Sequence, residues 1–239
     1  MIDRIALALK RHFPDPRFEA PRLWSNKELK KCANLVNGSV VNVSGWRDSD
    51  KEGGTYKSYF SLASEYWITN WKAEARGWQG NLDHELFLDL ETDLPSELIQ
   101  RFDTVFNHTT LEHVFDVFKA FENLCGLAKN TVIMVVPFLQ QQHGEYGDYW
   151  RFTPWCLQRL FQRNGFELAY VSDNDGRRDA IYLFAIAVRR PADIARFSAL
   201  PGNRLEYVTK RFVGEKSVGR LALPILLLRR ALQKLTGTR

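Results

Sequence analysis

Residues 102–154 read FDTVFNHTTLEHVFDVFKAFENLCGLAKNTVIMVVPFLQQQHGEYGDYWRFTP, and the fold is decided here. An apolar run at 102–106 gives way to the polar Asn107, His108, Thr109 and Thr110. Val114, Val117, Phe118, Phe121, Leu124 and Cys125 follow at the three-and-four spacing that gathers side chains on one helix face. A β-branched run at 131–136 then stops at Pro137 and opens into a loop dense in aromatic and charged residues. Strand, polar turn, helix, strand and loop form one β-α-β unit. Its polar residues collect at the carboxyl ends of the strands, the edge where ligands bind in open α/β sheets.

On the amino-terminal side, residues 39–43, 65–69 and 84–90 are expected strands, the last running into the acidic DLETDLP. On the carboxyl-terminal side a helix at 154–164 leads through Gly165 to a strand at 166–171, and a polar turn separates this from a strand at 180–188. A late pair of strands after alternating β and α elements predicts an antiparallel edge hairpin on a seven-stranded, mostly parallel sheet. Residues 2–12 read as a short docking helix, and the proline-bracketed 14–21 as an extended connector. A helix capped by Ser25 or Asn26 is expected to run to Leu35, where Asn37 and Gly38 stop it. The resulting division is 1–24 (helix and connector), 25–190 (main domain) and 191–239 (basic, amphipathic tail).

The chain of 239 residues is 45% apolar, enough for one sizeable core. Its net charge of +5 is uneven, because residues 204–239 hold nine basic residues against Glu206 and Glu215. The rest is slightly acidic, which argues against a nucleic-acid groove across the body. In the tail, residues 219–235 (GRLALPILLLRRALQKL) are too short to span a bilayer, but suit an amphipathic helix on an anionic membrane face or one docked on protein. Cys32, Cys125 and Cys156 show neither zinc-knuckle nor disulfide spacing, so a reducing compartment is expected. Residues 1–13 have no signal-peptide pattern.

This order of elements resembles the class I S-adenosylmethionine-dependent methyltransferases. FDTVFNHTTLEHVFD, 102–116, looks like their fourth-strand motif, and NGFEL, 164–168, like their entry into the sixth strand. GDYWRFTP, 147–154, resembles a loop in a bacterial subgroup linked to surface-polysaccharide biosynthesis, in which a histidine, here His143, precedes DYWRFT. The resemblance covers about residues 84–190. It implies a Rossmann-like methyltransferase fold with helical appendages at both ends and S-adenosylmethionine as cofactor, with no metal. It further implies methyl transfer to an oxygen of a sugar or glycolipid intermediate, in the cytoplasm or on the inner membrane face, with membrane or glycan-synthesis partners through the tail.

The same resemblance assigns cofactor positions to Asn42, Ser44 and Gly45 after the first strand, Asn70 after the second, Asp89 and Leu90 after the third, and Asn107 and His108 after the fourth. Asn42 and Asn70 stand where the family carries acids, and Ser44 and Trp46 where it carries glycines. A module that keeps the fold but has lost its donor is therefore the alternative, with Trp46 as the residue to fill a closed pocket. Glu112 and His113 are expected to open a helix, either as capping groups or with His113 as a general base beside the acceptor. His143 is the other candidate base. A rarer reading joins Glu112, His113 and His143 or His108 around a divalent ion. Glu112, Asp148, Tyr149, Trp150 and Arg151 are the acceptor candidates, with rings to stack on a sugar; alternatively Asp148 pairs Arg151 and the rings fill core.

Overall fold

The computed structural model describes residues 19–72, 77–80, 83–144, 147–174 and 181–205. The expected helices at 2–12 and 219–235 lie outside the described residues. Strands β1 (Gly38–Val43), β2 (Ala63–Asn70), β3 (Glu85–Phe87), β4 (Phe102–His108), β5 (Ala128–Pro137), β6 (Glu167–Asp173) and β7 (Tyr182–Val188) form one sheet in the order β3-β2-β1-β4-β5-β7-β6. Pairs β1–β2, β2–β3, β1–β4 and β4–β5 are parallel, whereas β7 runs antiparallel to both β5 and β6. This is the Rossmann-like methyltransferase architecture. The chain leaves β1 toward β2 and β3 on one side and returns to β4 on the other, so a switch point and its crevice lie between β1 and β4.

Alternation along each central strand feeds two cores. On one face Val105, Val132 and Met134 pack with Phe121 and Leu124 of α2 (Val117–Leu127) and Leu157 and Phe161 of α3 (Pro154–Arg163). On the other, Phe106, Ile133 and Val135 pack with Leu29 and Cys32 of α1 (Glu19–Cys32) and Phe197 of α4 (Ile194–Ser198). Strands buried on both faces explain the near-continuous apolar runs in the sequence.

Three local expectations change. Helix α1 is described from Glu19, so Pro21 and the segment before Ser25 are already helical. Ser25 and Asn26 are buried mid-helix and reach to other elements instead of capping. Helix α2 begins at Val117, with Asp116 Oδ1 accepting from Lys119 N at 3.1 Å, and residues Leu111–His113 form a separate 3-10 turn. That start rotates Phe118 off the buried face, and it is 54% exposed. β3 keeps only Glu85–Phe87, and Leu88 to Leu90 bend away to line the crevice.

Candidate functional site

The crevice is a cleft of about 300 Å³ at the carboxyl ends of β1, β2 and β4. It is lined by seven of the eight residues assigned to the cofactor: Asn42, Ser44, Gly45, Asn70, Asp89, Leu90 and His108. The eighth, Asn107, lies behind the wall, where its Nδ2 donates to Val43 O at 3.0 Å and ties β4 to β1. Of the two candidate bases only His113 lines the cleft, together with Trp46, which forms wall and leaves the space open.

The turn after β1 keeps a glycine-type backbone without glycines at the expected places. Ser44, Trp46 and Asp48 have φ of 57°, 50° and 61°, a region that costs an L-residue about 1 kcal/mol or more. Side-chain bonding holds them there. Asp48, 5% exposed, accepts from Asn42 Nδ2 (2.8 Å), Tyr66 Oη (2.6 Å) and Lys57 N (2.8 Å). Asn70 Oδ1 accepts from Trp46 N at 2.7 Å, and its Nδ2 donates to Trp46 O at 2.9 Å and to Glu85 Oε1 at 2.6 Å. Asn42 and Asn70 thus clamp the turn, replacing acids that would face a ligand with amides that also donate. Gly45 is the position where no Cβ fits, since one would lie 2.6 Å from Asn42 Nδ2.

His108 forms the wall between the cleft and α1. Its Nε2 shares a 2.8 Å bond with Ser25 Oγ, which also donates to Arg22 O, so Nε2 carries the proton and Nδ1 accepts from Thr109 Oγ1 at 3.0 Å. The rings of Tyr56, Phe106 and Tyr182 enclose it, and this burial holds its pKa well below the usual histidine value. A depressed base contributes stability above its unfolded pKa near 6.5 and loses it as pH falls. Acidification from pH 7 to pH 5 is therefore expected to destabilise the native protein more than a His108→Gln variant. The excess is at most about 1.4 kcal/mol per pH unit, read from urea midpoints; equal slopes for both proteins would contradict it.

On the far side of the cleft the LEH turn and the DYWRFT loop are laced together. Tyr149 N donates to Glu112 O at 2.7 Å, and His113 Nδ1 bonds Gly147 O at 2.5 Å. A carbonyl only accepts, so Nδ1 carries the proton and Nε2 the lone pair. Arg151 engages all five of its N–H groups inside the loop, on Gln140 O, Gln141 O, Trp150 O and both Asp148 oxygens. The expected Asp148–Arg151 pair is thus present: Arg151 builds the loop and holds the Asp148 carboxyl down at about 2. Trp150 likewise packs on the core and donates through Nε1 to Phe115 O at 3.1 Å, whereas Tyr149 stays 51% exposed against the Phe115 ring. Glu112 is fully buried and does not line the cleft; burial raises its carboxyl to about 8. His143 stands beside His113, ring centroids 5.3 Å apart.

Sequence reasoning missed Arg22, Lys51, Tyr56 and Trp71 in the cleft wall. Arg22 comes from a helix expected to start after it. Tyr56 follows a loop ordered by the bonding of Asp48 and Asp50 and a short bridge between Ser49 and Thr55, which no periodicity signals.

No protein-family model matches the chain. No curated protein matches it either. Among solved structures the chain is similar to an S-adenosylmethionine-dependent methyltransferase from Mesorhizobium loti, at 15% identity over 68% of this chain and 96% of that one, TM-score 0.48. It is also similar to magnesium protoporphyrin IX methyltransferase from Synechocystis PCC 6803 with bound SAH, at 15% identity over 76% and 93%, TM-score 0.46. A third is the CurJ carbon methyltransferase, at 14% identity over 63% of this chain, TM-score 0.48; the match spans 48% of that protein's length.

Proposed function

We propose that the chain is an S-adenosylmethionine-dependent methyltransferase acting on an oxygen of a sugar or glycolipid intermediate in cell-surface polysaccharide synthesis. The observation that carries the reading is the cleft itself, about 300 Å³ at the switch point of a sheet in methyltransferase order. Its wall fits the donor: a carboxylate at Asp89, indoles at Trp46 and Trp71, and a guanidinium at Arg22, with Ser44 and Gly45 forming the turn beneath. Bound S-adenosylmethionine supplies a methyl group on a positively charged sulfur. The chain's part is to hold the acceptor in line with it and exclude water. His113, whose lone pair is on Nε2, takes the acceptor's proton, assisted by His143. Tyr149 and Phe115 offer exposed rings for a sugar face.

One observation favours a second reading, a donor-free binding module. The backbone N–H groups of Ser44, Gly45 and Trp46 are already engaged by Thr69 and Asn70, leaving the turn fewer donors for a ligand. Methyl-labelled S-adenosylmethionine incubated with the protein and a cell-envelope sugar-lipid extract separates the two. Label in the sugar fraction, falling at least tenfold with His113→Ala, supports transfer. Neither donor binding nor transferred label supports the module.

No described helix is long and apolar enough to cross a membrane. We place the protein in the cytoplasm, with the basic tail as its contact to the inner membrane face or to a glycan-synthesis partner. Removal of residues 206–239 is expected to abolish flotation with anionic vesicles, and equal flotation of both forms would exclude the tail.

A further inference from the structure

We propose that Glu112, His113 and His143 bind a divalent transition-metal ion at the acceptor end of the cleft. Each offers one ligand atom, and the three atoms lie within 4.8 Å of one another. Glu112 Oε1 and His113 Nε2 are 3.8 Å apart. A tetrahedral ion with bonds of about 2.1 Å spaces its ligands by about 3.4 Å, so small side-chain rotations close the set.

The second observation is Glu112 itself. Its side chain is wholly buried, and neither carboxylate oxygen has a hydrogen-bond partner among the described residues. A buried carboxylate left in this way costs several kcal/mol unless a counter-charge meets it. The chain instead surrounds it with the parts a metal centre uses. His113 donates through Nδ1 to Gly147 O, which fixes the ring and directs Nε2 to the Glu112 side, the orientation that outer partners impose on metal-bound imidazoles. His143 Nδ1 lies 3.4 Å from Asp148 Oδ2, and Arg151 holds that carboxylate in place. Gly144 crosses over His113 so closely that a Cβ there would be 2.9 Å from Cε1, which seals that flank.

Two imidazoles and one carboxylate suit Zn²⁺, Mn²⁺, Fe²⁺ or Co²⁺ better than Mg²⁺, which prefers oxygen ligands. Three protein ligands leave coordination open, and of the three His113 lines the cleft, the side from which an acceptor would reach the ion. Metal binding does not depend on the methyl-transfer reading, but the role that follows does. An acceptor hydroxyl on the ion becomes more acidic. It gives its proton to water as the oxygen–methyl bond forms and the sulfur–methyl bond breaks, and the donor leaves as S-adenosylhomocysteine. His113 then serves as ligand, and the ion replaces it in easing proton loss.

The test uses the full chain, stripped with a chelator and titrated with Co²⁺ while visible ligand-field absorption is followed, with Zn²⁺ as competitor. The expected result is one Co²⁺ per chain, displaced by Zn²⁺, with affinity at least about 100-fold weaker in Glu112→Gln and His113→Ala. His143→Gln, a change on the loop, is expected to weaken it equally and keeps the test decisive should Glu112→Gln fail to fold. No ligand-field band at millimolar Co²⁺, or equal affinity in His113→Ala, His143→Gln and native protein, would overturn the site. Donor calorimetry on the stripped protein is run in parallel. Donor binding without Co²⁺ binding overturns the metal site alone, and Co²⁺ binding without donor binding supports the site and removes its role in transfer.

Discussion

Asp48→Ala is expected to lower the unfolding free energy by about 3–5 kcal/mol, the largest stability effect of a single change in the turn after β1. Three donors converge on this one carboxylate from three parts of the chain: Asn42 from β1, Tyr66 from β2 and the backbone of Lys57 from the loop. Asn42 and Tyr66 are themselves buried, at 1% and 8% exposure, so removing the acceptor leaves their polar groups unpaired in the interior. The backbone also loses support where Ser44, Trp46 and Asp48 all have positive φ. The turn should therefore melt before the sheet, detected as a lower denaturant midpoint together with faster amide exchange in residues 44–57. A loss below about 1 kcal/mol would mean that the loop is held by something other than Asp48.

Gly45→Val is expected to weaken donor binding at least about 100-fold, close to 2.7 kcal/mol. Its Cβ would come within 2.6 Å of Asn42 Nδ2 and 3.0 Å of Ile68 Cγ2. Asn42 can give way only by leaving Asp48, and the turn that floors the cleft then shifts. Ser44→Gly is the informative control. It restores glycine at a left-handed position, so stability should stay within about 1 kcal/mol and donor affinity should hold. Calorimetry and urea midpoints on both variants separate loss of the floor from loss of the fold. Unchanged donor affinity in Gly45→Val would move the donor off this turn.

The elements that could be read ahead of the structure are those whose apolar pattern is strong. β4, β5 and α3 lie where residues 102–164 placed them, with α3 starting at Pro154 as expected, whereas α2 is present but starts later, at Val117. What escaped has polar causes. Helix α1 carries Ser25, Asn26 and Glu28 on its inner face, bonded to His108, Asp50 and Tyr170. A buried polar face has no hydrophobic periodicity, so the helix start was placed too late and Arg22 was lost from the cleft. Arg151 shows the reverse case: a charged residue in an aromatic loop leaves ligand contact and pairing with Asp148 both open, and its five bonds within the loop display the pairing. Asn42 and Asn70 could be recognised as departures from the family pattern, but their clamp on Trp46 and Asp48 depends on β1 and β2 lying side by side.

The most direct measurement is isothermal calorimetry of the full chain with S-adenosylmethionine and with S-adenosylhomocysteine. The expected result is one binding event per chain for each ligand at micromolar to sub-millimolar affinity, lost in Gly45→Val. No heat at millimolar donor would contradict the methyltransferase reading and leave a cleft with the right strand order and no methyl donor to fill it.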